Sequence, residues 1–212
     1  MTTSAYKVRQ VLTRLAETYP DARTELNFET PWQLLVATML SAQCTDKRVN
    51  MITPRIFAKY KDAMELAQVS LAEMESLIRD CGLYHTKAKN ILATAAIVRE
   101  RYANQVPKER DQLMELPGVG RKTANVVMAN AFGVDAIAVD THVFRVSHRL
   151  GWSTAKDPAG TERELMQLLP KRSWSMAHHW LILHGRRICR AIRPDCEGCP
   201  VAKWCAQVGI AP

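Results

Sequence analysis

No run of apolar residues approaches the roughly 20 that span a membrane. Nor does a short apolar segment with a small-residue cleavage site open the chain. These absences exclude a membrane-spanning helix and a cleaved leader, and set the expectation of a cytoplasmic, nucleoid-associated protein. Regular apolar–polar alternation is missing as well, which takes β-strands out of the reading. Low-complexity tracts and internal repeats are lacking, so neither a linker nor a solenoid accounts for the 212 residues. One phosphate-binding signature fails on inspection. The stretch "GRKT" resembles the end of G-x-x-x-x-G-K-[ST], but Arg121 stands where the glycine should precede Lys122, and no buried strand leads into it.

What is present is an ordinary globular balance, 47% hydrophobic and 24% charged, which excludes disorder. The net charge of +8 and pI near 9.3 are not ordinary, and they fit a polyanionic partner. The length allows one large domain or two small ones. Much of the excess charge lies at one end. From 171 to 212, seven basic residues (Lys171, Arg172, Arg186, Arg187, Arg190, Arg193, Lys203) face two acidic ones (Asp195, Glu197), 7 − 2 = +5.

Helical signals run from end to end. Val8, Val11, Leu12 and Leu15 mark an amphipathic helix near the start. In "TPWQ", Thr30 predicts an N-cap, Pro31 the first helical position and Gln33 a reciprocal capping box. "SLAE", Ser70 to Glu73, predicts a second box, with Gly82 closing that helix beyond its C-cap. Further stripes occupy about 46–60, 110–116, 120–131, 141–151, 158–169 and 175–187. The pattern predicts an all-α protein of about nine or ten helices.

The chain ends in "CRAIRPDCEGCPVAKWC", which spaces Cys189, Cys196, Cys199 and Cys205 as C-x6-C-x2-C-x5-C. Without an export signal, four thiols in seventeen residues point to a thiolate-ligated metal centre rather than disulfides. Only Cys196 and Cys199 form a short zinc-type knuckle, and the longer loops suit a bulkier iron–sulfur centre, so the spacing leaves both metals open. Cys44 and Cys81 read as small buried hydrophobes.

Between the stripes at 110–116 and 120–131 lies "LPGVG". Pro117 fixes φ there, and Gly118 and Gly120 are expected to tolerate φ above zero. Such a turn lets a phosphate approach its N–H groups and the positive end of the following helix. A tight corner between helices is the alternative use.

Taken together, helix, "LPGVGRKTAN", helix, "VDTH" and the cysteine tail resemble the endonuclease III branch of the helix-hairpin-helix DNA glycosylases. "ELNF" at 25–28, "MLSAQCTD" at 39–46, "GLY" at 82–84 and "HHWLILHGR" at 178–186 extend the resemblance over nearly the whole chain. It implies two α-helical lobes with DNA bound across the cleft between them. One is a helical barrel at about 24–134, with the hairpin at about 110–131. The other joins 1–23 to 135–212 and carries a 4Fe-4S cluster on Cys189, Cys196, Cys199 and Cys205.

The resemblance also implies the chemistry. Lys122 is the nucleophile that displaces a damaged base from C1′, leaving a Schiff base that undergoes β-elimination. An amine can form that imine and a hydroxyl cannot. A lysine with the reference pKa near 10.4 is almost wholly protonated at neutral pH, and a three-unit change corresponds to about 4 kcal/mol. A helix N-terminus supplies only about 0.3–1 kcal/mol, so desolvation is expected to dominate. Asp140 reads from sequence as a helix N-cap, and by resemblance as proton acceptor and electrostatic stabiliser.

Gln43 and Leu83 are implied to fill the gap left by an everted nucleotide, and His142 to line the cleft. Gly118, Val119, Gly120 and Arg121 would meet the DNA backbone, and we expect Arg190, Arg193 and Lys203, set among the cysteines, to meet phosphates. The expected partner is duplex DNA carrying a damaged pyrimidine or abasic site, bound by a monomer. Two rivals remain. An adenine-specific glycosylase would generally lack Lys122, and a non-catalytic DNA-binding module would use it as a phosphate contact.

Overall fold

The computed structural model describes residues 4–210, so the extreme ends of the expected 1–23 and 135–212 segments lie outside the described residues. The first helix is α1 (Ala5–Thr18), capped by the Ser4 side chain, with Val8, Val11 and Leu15 buried along one face. Then come α2 (Pro31–Ser41), α3 (Asp46–Phe57), α4 (Ala63–Leu66), α5 (Leu71–Ile78), α6 (Tyr84–Arg101), α7 (Arg110–Met114) and α8 (Arg121–Phe132). After them follow α9 (Thr141–Arg149), α10 (Pro158–Leu168) and α11 (Trp174–Arg187), with 3₁₀ turns at Lys171–Ser173 and Ala202–Trp204. Among the described residues there is no strand, and the fold is all-α. Among the described residues the α-helices number eleven, against an expected nine or ten. Helix α4 is only four residues long, too short for its periodicity to register in sequence.

The chain forms two compact units, Thr24–Val134 and, from both ends together, Met1–Arg23 with Asp135–Pro212. In the first, α2 is the central helix. Trp32, Leu34 to Met39 and Leu40 are all buried, as expected of a helix apolar on every side. It packs against α3, α6 and α8. In the other unit, α1 and α9 both pack on α11, and α10 packs on α9. Val11, Leu15, Val143, Val146, Leu165 and Leu181 share one core, which Cys189 and Val201 join from the irregular segment after α11. No helix among the described residues is long and apolar enough to cross a membrane.

Both expected caps form, but neither box closes reciprocally. Thr30 Oγ1 accepts from Gln33 N at 3.2 Å, while Gln33 Oε1 accepts from Glu29 N at 2.7 Å, one residue ahead of the cap. Ser70 Oγ accepts from Glu73 N at 3.2 Å. The Glu73 carboxylate turns instead to the Tyr60 hydroxyl at 2.6 Å and the Lys59 ammonium at 3.4 Å. Gly82 does not close α5, whose C-cap is Arg79. The left-handed residue of that connection is Leu83, the N-cap of α6.

Candidate functional site

The hairpin between α7 and α8 is held from below by α6. Thr94 Oγ1 donates to Pro117 O at 3.0 Å, and a Cβ added to Gly118 would sit 2.8 Å from Asn90 Nδ2. Asn90 and Thr94 are four apart, hence on one face of α6. Gly118 has φ +79°, so both its backbone and this close approach call for glycine.

Gly120 differs from expectation. It is the N-cap of α8 with φ −88° and ψ 176°, extended backbone open to any residue. A Cβ there would meet nothing within 4 Å. The sequence reading assigned it the conformational freedom that only Gly118 uses. What Gly120 does is leave the first turn of α8 without a capping side chain and with open space in front. Val119 is buried, and its N–H donates to Leu116 O at 3.0 Å, which makes it part of the turn's scaffold.

Lys122 is the second residue of α8 and is exposed. Without DNA the protein leaves this side chain in water, so the desolvation expected of it is not supplied by the fold alone. Across the hairpin, Arg110 Nε donates to Oδ1 of the buried Asn125 at 2.9 Å, joining α7 to α8.

Gln43 and Leu83 occupy two neighbouring turns of the same unit. Their φ values are +53° and +59°, the left-handed region that costs a non-glycine residue on the order of 1–3 kcal/mol. A Cβ on Gly82 would lie 3.7 Å from Gln43 O, so the two turns touch. Leu83 is 60% exposed, a large apolar side chain held out in water. Beside it is a cavity of about 170 Å³, lined by Met39, Ala42, Leu83, Thr86, Lys87, Asn90 and Gly118. Beneath the turns lies a cluster not anticipated from sequence. Lys87 is only 6% exposed, and its ammonium donates to Leu40 O at 2.9 Å and to Cys81 Sγ at 3.1 Å. Burial and Cys81 itself push the Cys44 thiol up. Cys81 is buried as expected but also accepts from Lys87, whereas Cys44 is only half-buried, and both lie on turns rather than in helices.

In the other unit Asp140 is the N-cap of α9, its Oδ1 accepting from Val143 N at 2.8 Å. The cap engages one oxygen of a carboxylate that offers about four acceptor sites. His142, on the first turn of α9, has Nδ1 3.2 Å from Arg145 Nη2. Its pKa is lowered, mainly by desolvation.

Cys189, Cys196, Cys199 and Cys205 line one cavity with Arg149, His184 and Val201. Among the described residues no three His, Cys, Asp or Glu side chains are gathered so as to hold a metal ion as they stand. Two donors suit an anionic, thiolate-rich centre: Arg149 Nη1 lies 3.5 Å from Cys189 Sγ, and Gln207 N donates to Cys205 Sγ at 3.4 Å. Burial acts the other way and raises the Cys199 and Cys205 thiols. A bound cation would recover the desolvation that burial imposes on each thiolate.

Two arginines that sequence reasoning missed hold the segment. Arg145 donates to Gly185 O at 2.8 Å and, from Nε and Nη2, to Cys189 O at 3.1 and 3.0 Å. Arg149 donates to Arg190 O at 2.6 Å and Ala191 O at 3.0 Å. Their four-residue spacing on α9 was the available signal. His184 Nε2 is 3.6 Å from Cys199 Sγ and its Nδ1 is 3.1 Å from the Tyr19 hydroxyl. Burial lowers His184 to about 4 and raises Tyr19 to about 12. Arg190, Arg193 and Lys203 are all exposed, and Arg193 has φ +51°.

The family model described as HhH-GPD superfamily base excision DNA repair protein matches residues 36–171. The chain is 46% identical over 206 residues to the endonuclease III of Synechocystis sp., covering 97% of this chain and 94% of that protein. It is 48% identical over 197 residues to that of Bacillus subtilis, covering 92% and 90%. A solved structure of a trapped endonuclease III–DNA covalent intermediate superposes with a TM-score of 0.91 at 47% identity, covering 97% of each chain. A thermostable thymine-DNA glycosylase at 23% identity gives 0.86, covering 97% of this chain and 98% of the other, a likeness of fold.

Proposed function

The chain belongs to the HhH-GPD superfamily of base excision DNA repair proteins, in its endonuclease III branch, and from that membership we infer that it is a DNA glycosylase with abasic-site lyase activity. Its partner is DNA. The finer reading is that it removes oxidised pyrimidines from the duplex as a monomer, with Lys122 as nucleophile. The observation that carries this reading is the setting of Lys122, an exposed amine on the first turn of α8, one residue beyond a glycine cap that leaves the approach open.

In that reaction Lys122 Nζ bonds to C1′ as the base departs with the electrons of the glycosidic bond. One of the two protons then on nitrogen passes to O4′ as the C1′–O4′ bond breaks, which opens the sugar to the protonated imine, while the departed base takes its proton from water. Loss of a C2′ proton then expels the 3′ phosphate, and water releases the chain. The protein exposes Lys122, so its desolvation falls to the DNA that covers it. Asp140 accepts a proton and stabilises positive charge growing on the sugar. Its capping bond to Val143 N fixes the direction of the carboxylate. Extruding a nucleotide costs a few kcal/mol and leaves a gap. Leu83 is the apolar wedge and Gln43 the amide for the orphaned base. Two adjacent left-handed turns support this pairing, since strain at touching tips is tolerated where function uses it.

An iron–sulfur cluster on Cys189, Cys196, Cys199 and Cys205 fits the cavity they share, and when bound it cross-links a segment with little regular structure of its own. Arg190, Arg193 and Lys203 on that segment meet phosphates. Borohydride added to the protein on abasic-site DNA tests the reading. Covalent capture is expected. A protein that binds this DNA but is never captured would be a binding module or a hydrolytic glycosylase.

A further inference from the structure

Cys44 and Cys81 take no part in the reaction, yet they sit beneath the turns that carry Gln43 and Leu83. Cys81 is 1% exposed, and its thiol donates to Leu40 O at 3.3 Å. Cys44 is half-buried, its neighbour Gln43 meets Gly82, the neighbour of Cys81, at 3.7 Å from Gln43 O to an added Cβ, and the Cys81 thiol is close enough to help raise that of Cys44. The ion pairs among the described residues do not include Lys87, whose ammonium contacts are Leu40 O and Cys81 Sγ. Capping the last carbonyls of α2 would account for a lysine here. It would not account for a sulfur 3.1 Å from Nζ or for a second thiol against the first. A cation beside a thiol is the setting in which sulfur acts as a nucleophile. The cavity beside Leu83 opens onto Lys87, whose Nζ lies against Cys81 Sγ, and Cys44 is the more accessible of the two thiols.

We propose that Cys44 and Cys81 form a peroxide-oxidisable dithiol site, which on oxidation becomes a disulfide joining the Gln43 turn to the Leu83 turn. Cys81, with Lys87 against its sulfur, attacks one peroxide oxygen. The S–O bond forms as the O–O bond breaks, and one water leaves. Cys44 then attacks the sulfenic sulfur, the S–S bond forms, and the hydroxyl leaves as a second water. Two thiols and one hydrogen peroxide give one disulfide and two waters, sulfur being oxidised and peroxide reduced. The bond forms between turns already in contact, and it removes their freedom to part.

The effect on DNA rests on the reading of Gln43 and Leu83 given above, whereas formation of the disulfide does not. Protein with its cluster in place is treated with a few equivalents of hydrogen peroxide, remaining thiols are alkylated, and non-reduced peptides are mapped by mass. Absorbance of the cluster is followed in the same samples to register damage at the other cysteines. The expected product is a linked pair of peptides holding Cys44 and Cys81, lighter by the two lost hydrogens and separated by dithiothreitol. It should be absent from Cys44→Ser and, as a second variant, Cys81→Ala, and slower to form in Lys87→Met. Recovery of both cysteines as alkylated thiols, or as separate sulfinic acids, overturns the site. Excision by the oxidised form should change by about tenfold or more and recover on reduction. Disulfide formation with unchanged excision upholds the site and removes Gln43 and Leu83 from the insertion step.

Discussion

The Thr24–Val134 unit presents its candidate groups on turns between packed helices, whereas the other unit presents most of its own on an irregular segment lashed down by side chains. In the first, Gly118 rests against Asn90, Pro117 O is held by Thr94, and the turns of Gln43 and Leu83 touch. In the second, residues 189–205 contain one 3₁₀ turn, and the carbonyls of 189–191 are satisfied by Arg145 and Arg149. Buried backbone groups need partners, and helices supply them internally. A segment without helix must borrow them from arginines, and its four thiols are the ligands proposed for a cluster. The first kind of site is preformed by the fold. The second would be completed by the proposed cluster.

The largest effect that sharpens this contrast is at Lys122. Because the side chain is exposed, Lys122→Gln should leave the melting temperature unchanged, retain DNA binding and abolish borohydride capture. Capture that persists would move the nucleophile elsewhere. Asp140→Asn comes next. Asparagine caps about as well as aspartate, so folding should hold while single-turnover excision falls by about 100-fold or more. Asp140→Ala should add a stability loss of about 1 kcal/mol by removing the bond to Val143 N. Equal excision by the aspartate and asparagine forms would reduce Asp140 to a cap.

Arg149→Met tests the second unit alone. It strips charged donors from Arg190 O and Ala191 O, and each such bond contributes about 1.5–3 kcal/mol. Iron content and DNA affinity should fall, while Lys122 chemistry at saturating DNA persists. A variant with full iron and wild-type stability would show that the segment does not depend on this clamp. The smallest effect is at Leu83→Gly, which should raise stability by about 1 kcal/mol by relieving the left-handed backbone and yet slow excision. Opposite signs in melting and single-turnover kinetics would mark Leu83 as strained for use. A loss of stability would mark it as a packing residue.

The same contrast explains what could be read from the sequence. Caps at Thr30, Ser70 and Asp140 depend on residues three apart, and all three formed. The two boxes did not close reciprocally, because Glu73 found the more distant Tyr60 and Gln33 reached past the cap to Glu29. The all-α class followed from periodicity, which α4 was too short to display. The arginine clamp and the Lys87–Cys81 contact are tertiary, and nothing local announces them. Gly118 and Gly120 look alike in "LPGVG", but only the φ of Gly118 needs glycine. The exposure of Lys122 was not legible because helical periodicity does not fix how far a side chain on the first turn stands from the core.

The empty space around Gly120 divides two kinds of selection. At Gly118 an alanine would meet Asn90 and an unfavourable φ, so screening for folded protein alone would retain the glycine. At Gly120 an added methyl meets nothing of the protein within 4 Å, and the backbone there is extended. A library sorted for expression or heat resistance should therefore let Gly120 drift while it keeps Gly118. Sorting the same library for repair in cells should restore Gly120 if the open space before it is where the proposed DNA backbone approaches.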